Sequence, residues 1–222
     1  MKPQFPKRRD DALTRIEWLV IVTVLAVLAV FLLLPALAAA KRKSSRLNCT
    51  ANVKQIVIAF RLWDGDNGDQ YPMAVSETNG GAMELVAAGD LAGCFRVMSN
   101  ELATPKMPVC PDDLHRTGAT NFSIDFNEAN ISYFLSPDAA EAYPQMILLG
   151  DDNLLENGRP VRPGFLIWTN QTLAWTQDRH HGVGNIGMAD GSAQQVTGEG
   201  FQTAIHQAPK LKALVTNRWL FP

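Results

Sequence analysis

Between Trp18 and Leu34 the chain carries no ionisable side chain, and after Pro35 the run continues as Ala-Leu-Ala-Ala-Ala to Ala40. No other feature restricts the fold so strongly. A helix rising about 1.5 Å per residue needs about 20 apolar residues to cross the hydrocarbon of a bilayer, and this run supplies them. A secretory signal peptide has a shorter apolar core, about 7–15 residues, followed by a small-residue cleavage site. Ala38–Ala40 imitate such a site, so that reading stays open, but the length of the run favours an anchor. Basic residues flank both ends, Lys7, Arg8 and Arg9 before the run and Lys41, Arg42, Lys43 and Arg46 after it. The positive-inside rule therefore assigns no orientation. Glu17 stands at the edge of the run, where a carboxylate is costly and calls for a use.

The helical pattern continues beyond Ala40. Cys49, Val53, Ile56, Val57, Phe60 and Trp63 recur at the spacing of one amphipathic helix face, with Asn52, Lys54, Gln55 and Arg61 mostly on other faces. The pattern predicts one helix of about 50 residues, roughly 75 Å long, half in lipid and half packed on a soluble domain. Pro35 removes a backbone hydrogen bond within the membrane half and bends it. Asp64–Asp69, Asp-Gly-Asp-Asn-Gly-Asp, end the helix through turn chemistry.

A length of 222 residues with a formal net charge of -2 suits one folded domain plus an anchor. No basic excess points to nucleic acid, so none is expected as a partner. All 16 glycines fall after residue 64, which makes the later chain rich in turns. Residues 81–90 read as a helix with Met83, Leu85 and Val86 inward, and residues 93–99 as either a helical turn or a strand. Pro105, Pro108 and Pro111 predict an extended segment. Residues 130–136, 145–151 and 164–170 read as buried strands, and 185–196 as a hairpin with a two-residue turn at Asp190–Gly191. Residues 198–208 suggest a short helix. The whole is an α+β pattern, with the stripe of residues 49–63 covering one face of an antiparallel sheet.

The amino-terminal segment resembles the cleavage and methylation segment of type IV prepilins and type II secretion pseudopilins. A short basic leader meets a small residue, an apolar residue comes next, and a glutamate stands fifth in the mature chain before an apolar run. On these positions Ala12 precedes the cut, Leu13 becomes the first mature residue, and Glu17 is the family's glutamate. The segment Leu47–Pro72 is similar to the stretch just beyond the anchor in many bacterial members. The chain departs from the family's habit at Ala12 instead of Gly, Leu13 instead of Phe, and the charged Arg15. Further on, His180, nine residues, then Asp190–Gly191 match the H-x9-DG motif of a large bacterial subgroup of prepilin-like proteins.

The resemblance implies a pilin-like fold in four parts: a cytoplasmic leader (1–12), a transmembrane assembly helix (13–40), its amphipathic continuation (41–63) and a soluble domain (64–222). It implies a single-pass protein of the inner membrane with its carboxyl-terminal domain periplasmic or extracellular. Its expected partners are a prepilin peptidase, other pilin or pseudopilin subunits and inner membrane lipids. No cofactor and no enzymatic activity are expected; the chain is the peptidase's substrate. After cleavage the Leu13 ammonium of one subunit can meet Glu17 of its neighbour. In low dielectric such a pair fixes register, because leaving either member unpaired costs several kcal/mol.

Other chemistry is weighed against simpler uses. His180 and His181 with Asp190 suggest a metal site or a His–Asp pair, but neighbouring histidines on an extended chain point to opposite sides, and Asp190 suffices as a turn residue. Residues 64–69 look like a calcium loop but fail the EF-hand pattern at Gly68 and Asp69. Cys110 with His115 could form a thiol pair, while the flanking prolines favour a structural turn. Trp63, Trp168, Trp175 and Trp219 read as packing residues, with a carbohydrate platform as the alternative. Of the three cysteines, Cys94 and Cys110 are the most economical candidate disulfide outside the cytoplasm. Two rival classes stay open: a binding module on a permanent anchor, and a membrane-tethered metal hydrolase using His180, His181 and Asp190.

Overall fold

Helix α1 spans Arg15–Asp66 in the structure, a computed structural model that describes residues 15–208 and 217–222. Contacts divide the chain into two units, Met1–Ser44 and Ser45–Pro222. In the first unit, every described residue from Arg15 to Lys41 is exposed, including Trp18, Leu25, Phe31 and Leu37. The helix is long and apolar enough to cross a membrane. Pro35 lies inside it, and Thr23 Oγ1 donates back to the carbonyls of Leu19 and Val20 at 3.0 and 2.9 Å. The expected processing residues Ala12 and Leu13 lie outside the described residues.

In the second unit the same helix is amphipathic. Cys49, Val53, Ile56, Val57, Phe60 and Trp63, the six stripe residues, are all buried. At about 1.5–3 kcal/mol for each fully buried large apolar side chain, this face anchors the domain. The helix ends past Trp63 because residues 64–69 form its cap. The N–H groups of Asn67 and Asp69 reach the Asp64 carbonyl at 3.0 and 2.9 Å, and Asn67 Nδ2 donates to the Trp63 carbonyl at 2.7 Å. Gly68 and Asp69 take left-handed φ of 71° and 58° to close the turn. The bonds that close this helix end run through backbone groups and the Asn67 amide.

Two short helices come next, α2 (Met83–Ala87) and α3 (Leu91–Val97), the latter capped by Asp90, which accepts from Gly93 N. In α2 only Val86 is buried; Met83 is exposed and Leu85 partly so, since five residues give too little helix to turn all three inward. The proline-rich segment is a succession of turns and not the extended stretch its prolines predict. Met107 N bonds Thr104 O and Asp113 N bonds Cys110 O, so Pro105 and Pro111 each occupy the second position of a turn, where their fixed φ fits.

The main sheet contains β1 (Tyr133–Leu135), β2 (Ile147–Asp151), β5 (Gly164–Ile167), β7 (Val183–Met188), β8 (Ala193–Thr197) and β9 (Arg218–Phe221). All its pairings are antiparallel, in the order β5-β9-β1-β2-β7-β8. A second, three-stranded sheet joins β3 (Leu154–Glu156), β4 (Arg159–Pro160) and β6 (Leu173–Trp175). Helix α4 (Gly198–Gln207) starts at the Thr197 cap and carries Phe201, Ala204 and Ile205 inward. One core gathers the α1 stripe, α3 and sheet residues such as Tyr133, Leu135 and Leu149; another gathers Phe134, Ile186, Trp219 and Phe221 with α4 and Trp175. Alternation along β1 sends Phe134 to one core and its neighbours to the other. The fold is thus α+β, an antiparallel sheet with a helix on each face.

Between β7 and β8 the turn has three residues. Met188 N bonds Ser192 O and Gly191 N bonds Met188 O, with Gly191 at φ 91°. That is a type I turn closed by a left-handed residue, in place of the two-residue turn expected from Asp-Gly.

Candidate functional site

Strand β7 lies along residues 45–66 of α1, and the H-x9-DG motif brackets it. At its far end, Lys54 Nζ donates to the Gly191 carbonyl, Arg61 Nη1 reaches the Ala189 carbonyl at 3.4 Å, and Tyr71 Oη donates to the same carbonyl at 2.7 Å. Asp190 accepts from Ser192 N at 2.7 Å, which fixes the turn. Midway, Gly187 has no side chain because a Cβ would come within 2.3 Å of Val57 Cγ2. Thr50 Oγ1 donates to Asn185 Oδ1 at 2.6 Å. At its near end the loop before β7 turns through His180 and His181, both left-handed at φ 54° and 56°. Asn, Asp and His tolerate this region better than most residues, yet two in a row are strained and imply support from the surroundings.

His180 receives that support in the core. Its ring is buried, Nε2 lies 3.3 Å from Cys110 Sγ and 3.6 Å from Asp151 Oδ2, and Nδ1 lies 3.0 Å from Asp112 Oδ2. The Asp112 contact has ion-pair distance without the alignment of a hydrogen bond. Cys110 is joined by a disulfide to Cys49, the first buried residue of the α1 stripe, with Cα atoms 5.2 Å apart. The expected Cys94–Cys110 bridge is not formed: Cys94 is a free, buried thiol on α3, which burial pushes well above its ordinary pKa. Separation in sequence is a poor guide because a bridge requires Cα atoms within about 4.4–6.8 Å. His115, the histidine nearest Cys110 in sequence, makes its contact elsewhere, its N–H donating to Asp113.

Burial sets the electrostatics. Asp151 is fully buried, and its pKa is pushed up to about 7 by desolvation, against the pull of Asn185, whose N and Nδ2 donate to Oδ2 at 2.7 and 2.9 Å. Oδ1 of Asp151 has no hydrogen-bond partner among the described residues. Burial lowers the His180 pKa, with Asp112 pulling the other way, so the ring is held towards its neutral form.

Next to this cluster four charges lock its two loops together. Arg179 Nη2 meets Asp113 Oδ2 at 2.9 Å and Nη1 meets Asp152 Oδ1 at 2.8 Å, while Arg116 contacts both carboxylates. Ser132 Oγ donates to Asp113 at 2.8 Å. Burial raises the Asp113 pKa, but Arg179, Ser132, His115 N and Arg116 outweigh it and hold the carboxyl below its ordinary value. Arg179 precedes His180, and Asp112–Asp113 come directly after Cys110 and Pro111, so the network sets the imidazole against the disulfide.

His180, His181 and Asp190 do not form one constellation: His180 is in the core, His181 is exposed and Asp190 lies in the turn beyond β7. Among the described residues, the one group of three donors close enough to hold a metal is Cys49, Cys110 and His180, all buried. Sequence spacing separates these residues widely; the disulfide to α1 and the packing of the loop before β7 against Cys110 bring them together. Comparison with protein families, with curated proteins and with solved structures gives no match for this chain.

Proposed function

We propose that this chain is a pilin-like structural subunit, cleaved between Ala12 and Leu13 by a prepilin peptidase and assembled into a filament of the secretion or pilus type. The observation that carries the reading is the division of α1: the described residues of 15–41 form a wholly exposed apolar surface, while residues 49–63 supply a buried stripe to the core. An apolar helix exposed along its described residues suits lipid first and neighbouring subunits afterwards. The Cys49–Cys110 disulfide supports an extracytoplasmic domain, since such bonds persist in oxidising compartments. The H-x9-DG motif acts in this reading as a fastener of β7 to α1, which keeps the domain fixed to the helix that polymerises. Prepilin peptidase, sister subunits and inner membrane lipids are the partners, and the chain does no chemistry of its own.

Glu17 gives the test. In cells supplying a prepilin peptidase, Glu17→Ala makes the segment more apolar, so membrane insertion is retained, whereas crosslinking between subunits falls. Unchanged crosslinking in the inserted variant removes Glu17 from assembly and overturns the use of its charge to register neighbouring subunits.

A further inference from the structure

The buried group at Cys49, Cys110 and His180 has a use that does not depend on polymerisation. We propose that, once the Cys49–Cys110 bond is reduced, the two sulfurs and His180 Nε2 bind a zinc-class cation. Donor atoms of the three first residues already lie within 4.8 Å of one another. Ligands of one tetrahedral zinc, with Zn–S about 2.3 Å and Zn–N about 2.0 Å, stand about 3.5 Å apart, near the 3.3 Å between Cys110 Sγ and His180 Nε2. Asp151 Oδ2, 3.6 Å from the same nitrogen, stands beside the ring and outside the three mutually close donors. Cα atoms 5.2 Å apart keep both sulfurs within reach of one ion after they part.

The surroundings have the character of a ligand set. A metal-bound imidazole is usually oriented by a carboxylate on its other nitrogen, and Asp112 occupies that place at Nδ1. Asn185 orients Asp151 through two hydrogen bonds, and Oδ1 of this fully buried carboxylate has no hydrogen-bond partner among the described residues. Two thiolates and a neutral imidazole suit zinc by softness, with a water to complete four-coordination. Arg179 and Arg116 lie behind Asp152 and Asp113 and temper the negative charge. Disulfide and metal are alternative states of one pocket. Reduction by a phosphine breaks the S–S bond, giving two thiols and a phosphine oxide whose oxygen comes from water; binding of the dication then releases two protons.

The test uses the full chain in detergent micelles, reduced with a phosphine, freed of excess reagent and titrated with cobalt(II). One equivalent is expected to produce thiolate-to-cobalt absorption in the near ultraviolet and the strong visible bands of a tetrahedral ion, both displaced by zinc. Oxidised protein is expected to show neither, Cys94→Ser to retain both, and Asp112→Asn to bind about tenfold more weakly. Reduced protein with countable thiols and no charge-transfer band overturns the proposal, whether or not its near-ultraviolet circular dichroism survives reduction. So does a band that persists in Cys110→Ser.

Discussion

Breaking the Cys49–Cys110 bond tests how the unit Ser45–Pro222 is held on its stretch of α1. The bridge spans a sequence separation of 61 and ties α1 to the turn that carries Cys110. Closing a loop of that size removes unfolded-state entropy worth about 4 kcal/mol on the chain-entropy account. For a unit the size of Ser45–Pro222 that corresponds to a fall in Tm of about 8–16 °C. The assay is thermal unfolding of the full chain in detergent, monitored by near-ultraviolet circular dichroism, with and without a phosphine and in the presence of a chelator. The paired variant Cys49→Ala with Cys110→Ala should match the reduced protein, and Cys94→Ala should still respond to reductant. A Tm that moves by less than about 3 °C on reduction would refute the reasoning, since it would leave the loop closed by other contacts or the bond unformed.

Gly187→Val should destabilise the domain by about 3 kcal/mol or prevent folding, because even a Cβ there would sit 2.3 Å from Val57 Cγ2; chemical denaturation of the variant checks it. Asp113 ionises more readily in the fold than in the unfolded chain, so it contributes stability above the ordinary Asp pKa of about 4 and loses it as pH falls through its lower folded value. Asp113→Asn should therefore cost about 3 kcal/mol at neutral pH and approach the parent protein in strong acid, read as stability against pH.

The local patterns of the long helix are legible in the sequence because each rests on neighbours along the chain. The stripe from Cys49 to Trp63 needs only the helical period, and all six residues are buried. Strands β1, β2, β5, β7 and β8 are apolar or alternating runs bounded by turn residues. Strand β9 and the sheet of β3, β4 and β6 are harder to read, since three or four residues around Arg218–Phe221 carry too short a signal and gain their partners from distant strands. The site is hidden for the same reason. His180 meets Cys110 across a separation of 70 residues, so the nearer His115 and Cys94 attract the reading. The motif itself is visible as His180, Asp190 and Gly191, but its work, one end against the disulfide and the other against Lys54 and Arg61, depends on how β7 lies on α1.

The mature amino terminus tests the subunit reading most directly. Intact-mass and terminal-peptide spectrometry of the protein recovered from bacterial membranes that contain a prepilin peptidase should show a chain beginning at Leu13, with a methylated amino group and without residues 1–12. A membrane-embedded chain that still begins at Met1 would contradict the subunit reading, because the cleavage it requires would not have taken place.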